Sequence, residues 1–219
     1  MNIPLWWMGA AILVAYLMGS LPTGYIVGRM IKGIDIREHG SGSTGATNVL
    51  RTLGKGPGFL VLMIDTLKGV GAIALVHWLF TVVPSGVNSD GWLAWMVAIG
   101  GLAALLGHSK SIWLGFTGGK SVATSLGVLL AMCWQVGLAT LGIFGLVLAL
   151  TRIVSLSSVA GAIAVSVFMI LLQQPLPYEL FTIAGGLYVI WRHRSNIQRL
   201  FAGTEPQLGK LMTPEQNLE

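Results

Sequence analysis

The sequence predicts an all-α integral membrane protein with about seven transmembrane helices, polar glycine-rich cytoplasmic loops, an external N-terminus and a cytoplasmic C-terminus. Three observations carry that prediction. Hydrophobic residues make up 54% of the 219 and charged residues only 10%, so the apolar surface exceeds what one water-soluble globule can bury. Apolar runs of about span length alternate with polar, glycine-punctuated inserts. All 13 Lys and Arg residues fall in inserts that the alternation assigns to the cytoplasm or at the cytoplasmic end of a run, as the positive-inside rule requires. The net charge of +5 therefore records topology and gives no reason to invoke nucleic acid.

The first run, 3–27, has no basic residue before it and Arg29, Lys32 and Arg37 after it. That is the reverse of a cleaved signal peptide, so it reads as a retained helix kinked at Gly19 and Pro22. Gly24 and Gly28 form a GxxxG pair suited to close approach by another helix. The second run, 59–83, follows the breakers Gly54, Gly56, Pro57 and Gly58 and carries Asp65 and Lys68 three apart on one face. An unpaired charge at the bilayer centre costs roughly 2.5–3.5 kcal/mol, so Lys68 should pair with Asp65 or with a substrate phosphate. The connection 84–90 holds no Lys or Arg, as an external loop should. A third run, 92–106, is short unless it continues through His108. A fourth reaches Trp134, a fifth of similar brevity reaches Leu150, a sixth covers 154–172 and a seventh ends at Trp191. Trp6, Trp7, Trp92, Trp95 and Trp134 mark an outer aromatic belt, Trp113 and Trp191 an inner one. No internal repeat is visible, which leaves one transmembrane catalytic domain, 1–200, and a short cytoplasmic tail, 201–219. The single Cys133 reads as a small packed hydrophobe; no metal-ligand spacing occurs, and neither metal nor cofactor is expected.

The chemistry is concentrated in four elements on the cytoplasmic side, one of them the Arg152-to-Ser158 turn and the other three inserts rich in donors. In 39–51, Gly40, Gly42 and Gly45 free the backbone to aim N–H groups at one point, amid the hydroxyls of Ser41, Ser43, Thr44 and Thr47, the amide of Asn48 and the guanidinium of Arg51. Such a donor-rich turn is either a flexible polar loop or a cradle for a tetrahedral oxyanion. The second insert holds Gly118, Gly119, Lys120 and Ser121. Leu114 stands where the G-x-x-x-x-G-K-[ST] nucleotide pattern needs glycine, but two glycines and a lysine can still enclose a phosphate. In the third, His193, Asn196 and Arg199 are three apart, so a short surface helix would place them near one face. Arg192 and Arg194 are read as topological markers. A transporter for a phosphorylated or anionic solute is the competing class. It would place charges along a path at mid-depth, whereas polarity here is gathered at one membrane face.

These motifs resemble the bacterial acyl-phosphate:glycerol-3-phosphate acyltransferases, the PlsY family. The resemblance covers nearly the whole chain: Gly19 to Pro22, Ser41 to Arg51, Asp65 to Gly69, Gly107 and His108 with Gly115 to Lys120, Ser155 after Arg152, and His193 to Arg199. It departs at Ser43 and Thr44, where an Asn-Ile or Asn-Val pair is usual, and at Ser121, where glycine is common. The resemblance implies seven helices in the bacterial inner membrane with a cytoplasmic-side site. It implies transfer of an acyl group from long-chain acyl phosphate to the sn-1 hydroxyl of glycerol 3-phosphate, giving lysophosphatidate and inorganic phosphate as the first step of phospholipid synthesis. Membrane lipid and the cytosolic enzyme that makes acyl phosphate are the implied partners. Ser41, Lys120, Ser155, His193 and Asn196 are the implied catalytic positions. Gly42, Gly45, Thr47, Asn48, Arg51, Lys68, Gly118, Gly119 and Arg199 are assigned to substrate binding. Acyl phosphate is a mixed anhydride with a good leaving group, so no covalent nucleophile is needed. A substrate phosphate oxygen is expected to accept the hydroxyl proton, with His193 as a positioned hydrogen-bond donor.

Overall fold

The computed structural model describes residues 5–82 and 90–209, so the connection 84–90 up to its last residue and the far end of the tail lie outside the described residues. Within them every regular element is helical. The first apolar run forms two helices, α1 (Leu5–Ser20) and α2 (Thr23–Lys32), because Pro22 has no N–H to continue the ladder. The break exposes the Leu21 carbonyl, and the Lys68 ammonium fills it at 2.9 Å. The short helix α3 (Ala46–Leu53) precedes α4 (Lys55–Thr81), whose 27 residues extend about 40 Å. Helix α5 (Asp90–Ser109) runs on through His108, which resolves the apparent shortness of the third run.

Helix α6 (Val122–Met132) has only 11 residues, about 16 Å, too few to cross a hydrocarbon core of ~30 Å alone. It turns at Cys133, in extended backbone, directly into α7 (Trp134–Thr151). With 18 residues, α7 is longer than its apolar pattern suggested. Helices α8 (Val154–Leu171) and α9 (Leu176–Arg192) follow, and α10 (Arg194–Phe201) is the expected short helix after the last run. Each of the seven apolar runs thus contains a helix. Five segments are long and apolar enough to cross a membrane: residues 5–32 taken together, α4, α5 from Trp92, α7 and α8.

Close backbone approach fixes the bundle. A Cβ on Gly19 would lie 2.1 Å from the Ala104 carbonyl oxygen and one on Gly107 2.2 Å from that of Tyr16, which joins α1 to α5. Gly69 meets the Thr124 carbonyl and Gly127 that of Thr66, which joins α4 to α6 in the same way. The GxxxG pair of α2 behaves differently from expectation. Gly24 is covered by the Thr44 carbonyl and Gly28 by Ile34 and Ile36, so the pair seats the 39–51 loop and its approach rather than a neighbouring span. Around the bundle, α4 packs chiefly on α1, α3, α5 and α6, while α7 packs on α6 and α8, and α8 on α9. The walls formed by α4 and by α7 and α8 therefore face each other across the short α6.

Candidate active site

In the 39–51 loop the organising side chain is Asn48, 2% exposed. Its Oδ1 accepts from the Ser41 N–H at 2.9 Å, and its Nδ2 donates to the carbonyls of Ile36, His39 and Ser43 at 3.1, 2.9 and 2.8 Å. With the amide occupied by backbone groups, Asn48 shapes the loop. Two of the three glycine amides are committed too: Gly42 N–H donates to the His39 carbonyl and Gly45 N–H to Ser43 Oγ. The glycines provide the turn, Gly40 and Gly42 sitting at φ +58° and +67°. Among the amides without an acceptor in the described residues are those of Ala46 and Thr47, the first two residues of α3. A helix N-terminus of this kind presents N–H groups and the positive end of the dipole to an anion. Arg51 stands one turn further along α3, its Nη2 on the Pro206 carbonyl at 3.3 Å.

The 117–121 loop is held from outside. Gly119 N–H donates to the His108 carbonyl, and the Arg192 guanidinium donates to the carbonyls of Gly118 and Gly119 at 3.2 and 2.8 Å. A Cβ on Gly119 would lie 2.1 Å from His108 Nε2, and one on Gly118 2.3 Å from the His108 carbonyl oxygen. These two glycines are thus small because His108 lies against them, and neither lines the cavity described below. Arg192, read as a topological marker, is the clamp that sets the loop. Arg37 ties this region to the first loop, donating to Thr117 Oγ1 at 3.0 Å while pairing with Asp35, whose carboxyl it holds down at about 2.

Lys120 projects from this clamped loop and donates to Asn196 Oδ1. Asn196 Nδ2 in turn donates to Glu205 Oε1 at 2.6 Å, as does Ser155 Oγ at 2.7 Å, and Arg199 Nε donates to Glu205 Oε2 at 2.8 Å. Glu205 is the hub of this network, and sequence reasoning missed it by setting the tail aside. Arg51, Lys120 and Arg199 crowded at one end of the molecule require a buried counter-charge, and the first carboxylate after the His193-to-Arg199 motif supplies it. Residues 202–208 fold back toward this end, Leu208 N–H donating to the Arg152 carbonyl at 2.8 Å. Arg199 braces Glu205 and lies outside the cavity lining. Lys68 also lies outside that lining, its charge paired within the protein by Asp65 at 2.8 Å and by the Leu21 carbonyl.

Burial among apolar groups lowers the Lys120 ammonium to about 8 despite Glu205 nearby, and lowers the His193 imidazole to about 4. His193 Nδ1 lies 2.7 Å from the Val189 carbonyl, which can only accept. The ring is therefore neutral near pH 7 with its proton on Nδ1, leaving Nε2 as an acceptor. That corrects the expected donor role.

Ser41, Gly45, Thr47, Asn48, Arg51, Lys120, Ser155, His193, Asn196 and Glu205 all line one cavity of about 560 Å³. Gly42 turns the loop outside it. Beyond this polar mouth the cavity continues between apolar side chains of α4, α6, α7, α8 and α9, reaching Leu129, Val165 and Phe181. Among the described residues no three His, Cys, Asp or Glu side chains gather as a metal site requires. A cationic, donor-rich mouth above an apolar shaft suits an amphiphile with a phosphorylated head and a long tail.

Known proteins are similar to this chain in sequence and in fold. Residues 9–203 match the family described as glycerol-3-phosphate acyltransferase. The glycerol-3-phosphate acyltransferase of Nostoc sp. (strain PCC 7120) is 68% identical over 94% of each chain, and that of Trichodesmium erythraeum 54% identical over 94% of each. The crystal structure of PlsY (YgiH), an integral membrane glycerol 3-phosphate acyltransferase, in its glycerol 3-phosphate form, superposes with a TM-score of 0.83 at 35% identity, over 92% of this chain and 96% of that one. Its lysophosphatidic acid form gives 0.80 at 34%, over 92% and 95%. With its helical membrane architecture and its motifs in the family's order, the chain belongs to the PlsY family of integral membrane glycerol-3-phosphate acyltransferases.

Proposed function

We propose that this acyltransferase uses acyl phosphate as donor and releases lysophosphatidate and inorganic phosphate at the cytoplasmic face of the bacterial inner membrane. The observation that carries the reading is the continuity of the cavity, from Arg51, Lys120 and the α3 N-terminus to the apolar shaft. Two phosphorylated substrates repel each other, and the mouth offers two fixed cations and two unpaired backbone amides to hold them together. The mixed anhydride is already activated. The sn-1 oxygen attacks the acyl carbonyl carbon, the new ester C–O bond forms, and the carbonyl-carbon-to-phosphate-oxygen bond breaks. His193 Nε2 accepts a hydrogen bond from the attacking hydroxyl and orients it. At about 4 the ring is too weak a base to keep the proton, which passes to the departing phosphate, whose second pKa is near 6.

The facing walls of α4 and of α7 and α8 offer the tail a lateral way in from the lipid, and the gathering of Lys and Arg at this end favours the cytoplasm. The cytosolic enzyme that makes acyl phosphate is the fitting partner, since the donor is both labile and lipid-soluble. Purified protein incubated with glycerol 3-phosphate and either palmitoyl phosphate or palmitoyl-CoA tests the reading. Lysophosphatidate and phosphate from the first donor alone are expected, because no nucleotide-recognition pattern is present. Product from the thioester alone, or solute flux in sealed vesicles without product, would overturn it.

A further inference from the structure

The reaction cavity reaches Phe181, and a second, apolar groove of about 370 Å³ is lined by the same ring. The groove runs along α5 and α9 between Trp95, Ile99, Leu102, Leu180 and Leu187, facing the bilayer. Phe181 is the one residue that lines both spaces, a partition a single ring thick. It is 3% exposed and held from behind by α5, where a Cβ on Gly101 would come within 2.9 Å of its ring. On the cavity side, the paired Gly185 and Gly186 leave the α9 wall open one turn further along.

Resting on the reading that the apolar shaft receives the acyl tail, we propose that Phe181 is the stop that sets the longest chain this enzyme transfers efficiently. Phe181 and His193 are twelve residues apart on the α9 axis, which corresponds to about 18 Å at the helical rise. An extended chain advances about 1.2 Å per bond, so about fifteen bonds fit between the reacting carbonyl and the ring. A chain of about sixteen carbons therefore reaches Phe181, and a longer one must fold back or displace it. Removing the ring joins the shaft to the outer groove and lets the methyl end pass through to lipid.

The test uses the purified full-length protein, glycerol 3-phosphate and an equimolar mixture of saturated acyl phosphates of 14, 16, 18 and 20 carbons, with each lysophosphatidate read by mass spectrometry. Phe181→Leu is expected to raise the ratio of 20-carbon to 16-carbon product at least about tenfold, as one or two newly accommodated methylenes require, with KM for glycerol 3-phosphate unchanged. Gly101→Ala pushes the intact ring into the shaft, and is expected to lower the ratio of 18-carbon to 14-carbon product. It keeps the test open should Phe181→Leu fold poorly. A wild-type protein that is active, with variants whose product ratios match it, overturns this proposal alone. A wild type inert toward every acyl phosphate overturns the donor assignment and this proposal with it.

Discussion

The 39–51 loop and the 117–121 loop border the same cavity but are held in opposite ways. The first is organised from within: Asn48 binds backbone groups no more than twelve residues away, and the free amides arise where α3 begins. The second has no internal scaffold. Its carbonyls are gripped by Arg192, more than seventy positions later, and its glycines lie against His108. The first loop carries its geometry in its own sequence, whereas the second borrows geometry from α5 and α9. Damage to the first should appear as lost stability as well as lost activity. Damage to the clamp of the second should appear chiefly in the reaction.

The largest effect should follow Lys120→Ala, which leaves a buried phosphate without its charged partner. A loss of at least about 3 kcal/mol, more than a hundredfold in kcat/KM, is expected in steady-state assays with little change in melting temperature. Near-normal turnover would remove Lys120 from the site. Next is Asn48→Ala, which leaves the Ser41 amide and the Ser43 carbonyl unpaired in a mostly buried turn and strips the carbonyls of Ile36 and His39 of their second donor. About 2–3 kcal/mol of stability should disappear, visible as a lower thermal midpoint, together with activity. If activity falls while the midpoint holds, Asn48 touches substrate after all and the contrast between the loops breaks.

Arg192→Gln should cost about 2 kcal/mol, roughly thirtyfold in kcat/KM, through a displaced Lys120, and Arg192→Lys should restore only part because a lysine cannot reproduce the fork on two carbonyls. A merely topological arginine would be replaced by lysine without loss. The pH profile sharpens the same point. Lys120 sits at about 8 in the free protein, so it is charged below that pH and loses its proton above it. kcat/KM should therefore fall about tenfold between about pH 7 and pH 9, and Lys120→Arg should remove that alkaline limb. The smallest effect belongs to Ser121→Gly. Ser121 occupies φ +64°, where glycine is at ease, but its hydroxyl donates to the Leu105 carbonyl at 2.7 Å. Relief of strain and loss of the bond should nearly cancel, leaving less than about 1 kcal/mol in a denaturation midpoint.

Legibility in the sequence follows the same division. Local features were readable: the break at Pro22, the turn residues before α4, the Asp65 and Lys68 spacing and the helix bearing Asn196 and Arg199. The role of a charge was not readable where two partners competed for it. Lys68 could satisfy itself with a carboxylate or a phosphate, and only the broken helix beside it, with a bare Leu21 carbonyl, decided the matter. Glu205 escaped notice because its partners Ser155, Asn196 and Arg199 sit on three different segments and no spacing rule connects them.

By itself the sequence determined that this chain lives in a bilayer, where its apolar runs bend, and which polar inserts share an end, because hydropathy, proline and charge act over a few residues and need no partner. The tertiary structure alone decided which donors are free, which are already taken, and where the shaft ends. Those are questions of occupancy: each hydrogen-bonding group binds few partners, and which partner arrives first depends on backbones that glycines such as Gly19, Gly119 and Gly127 allow to touch across the fold.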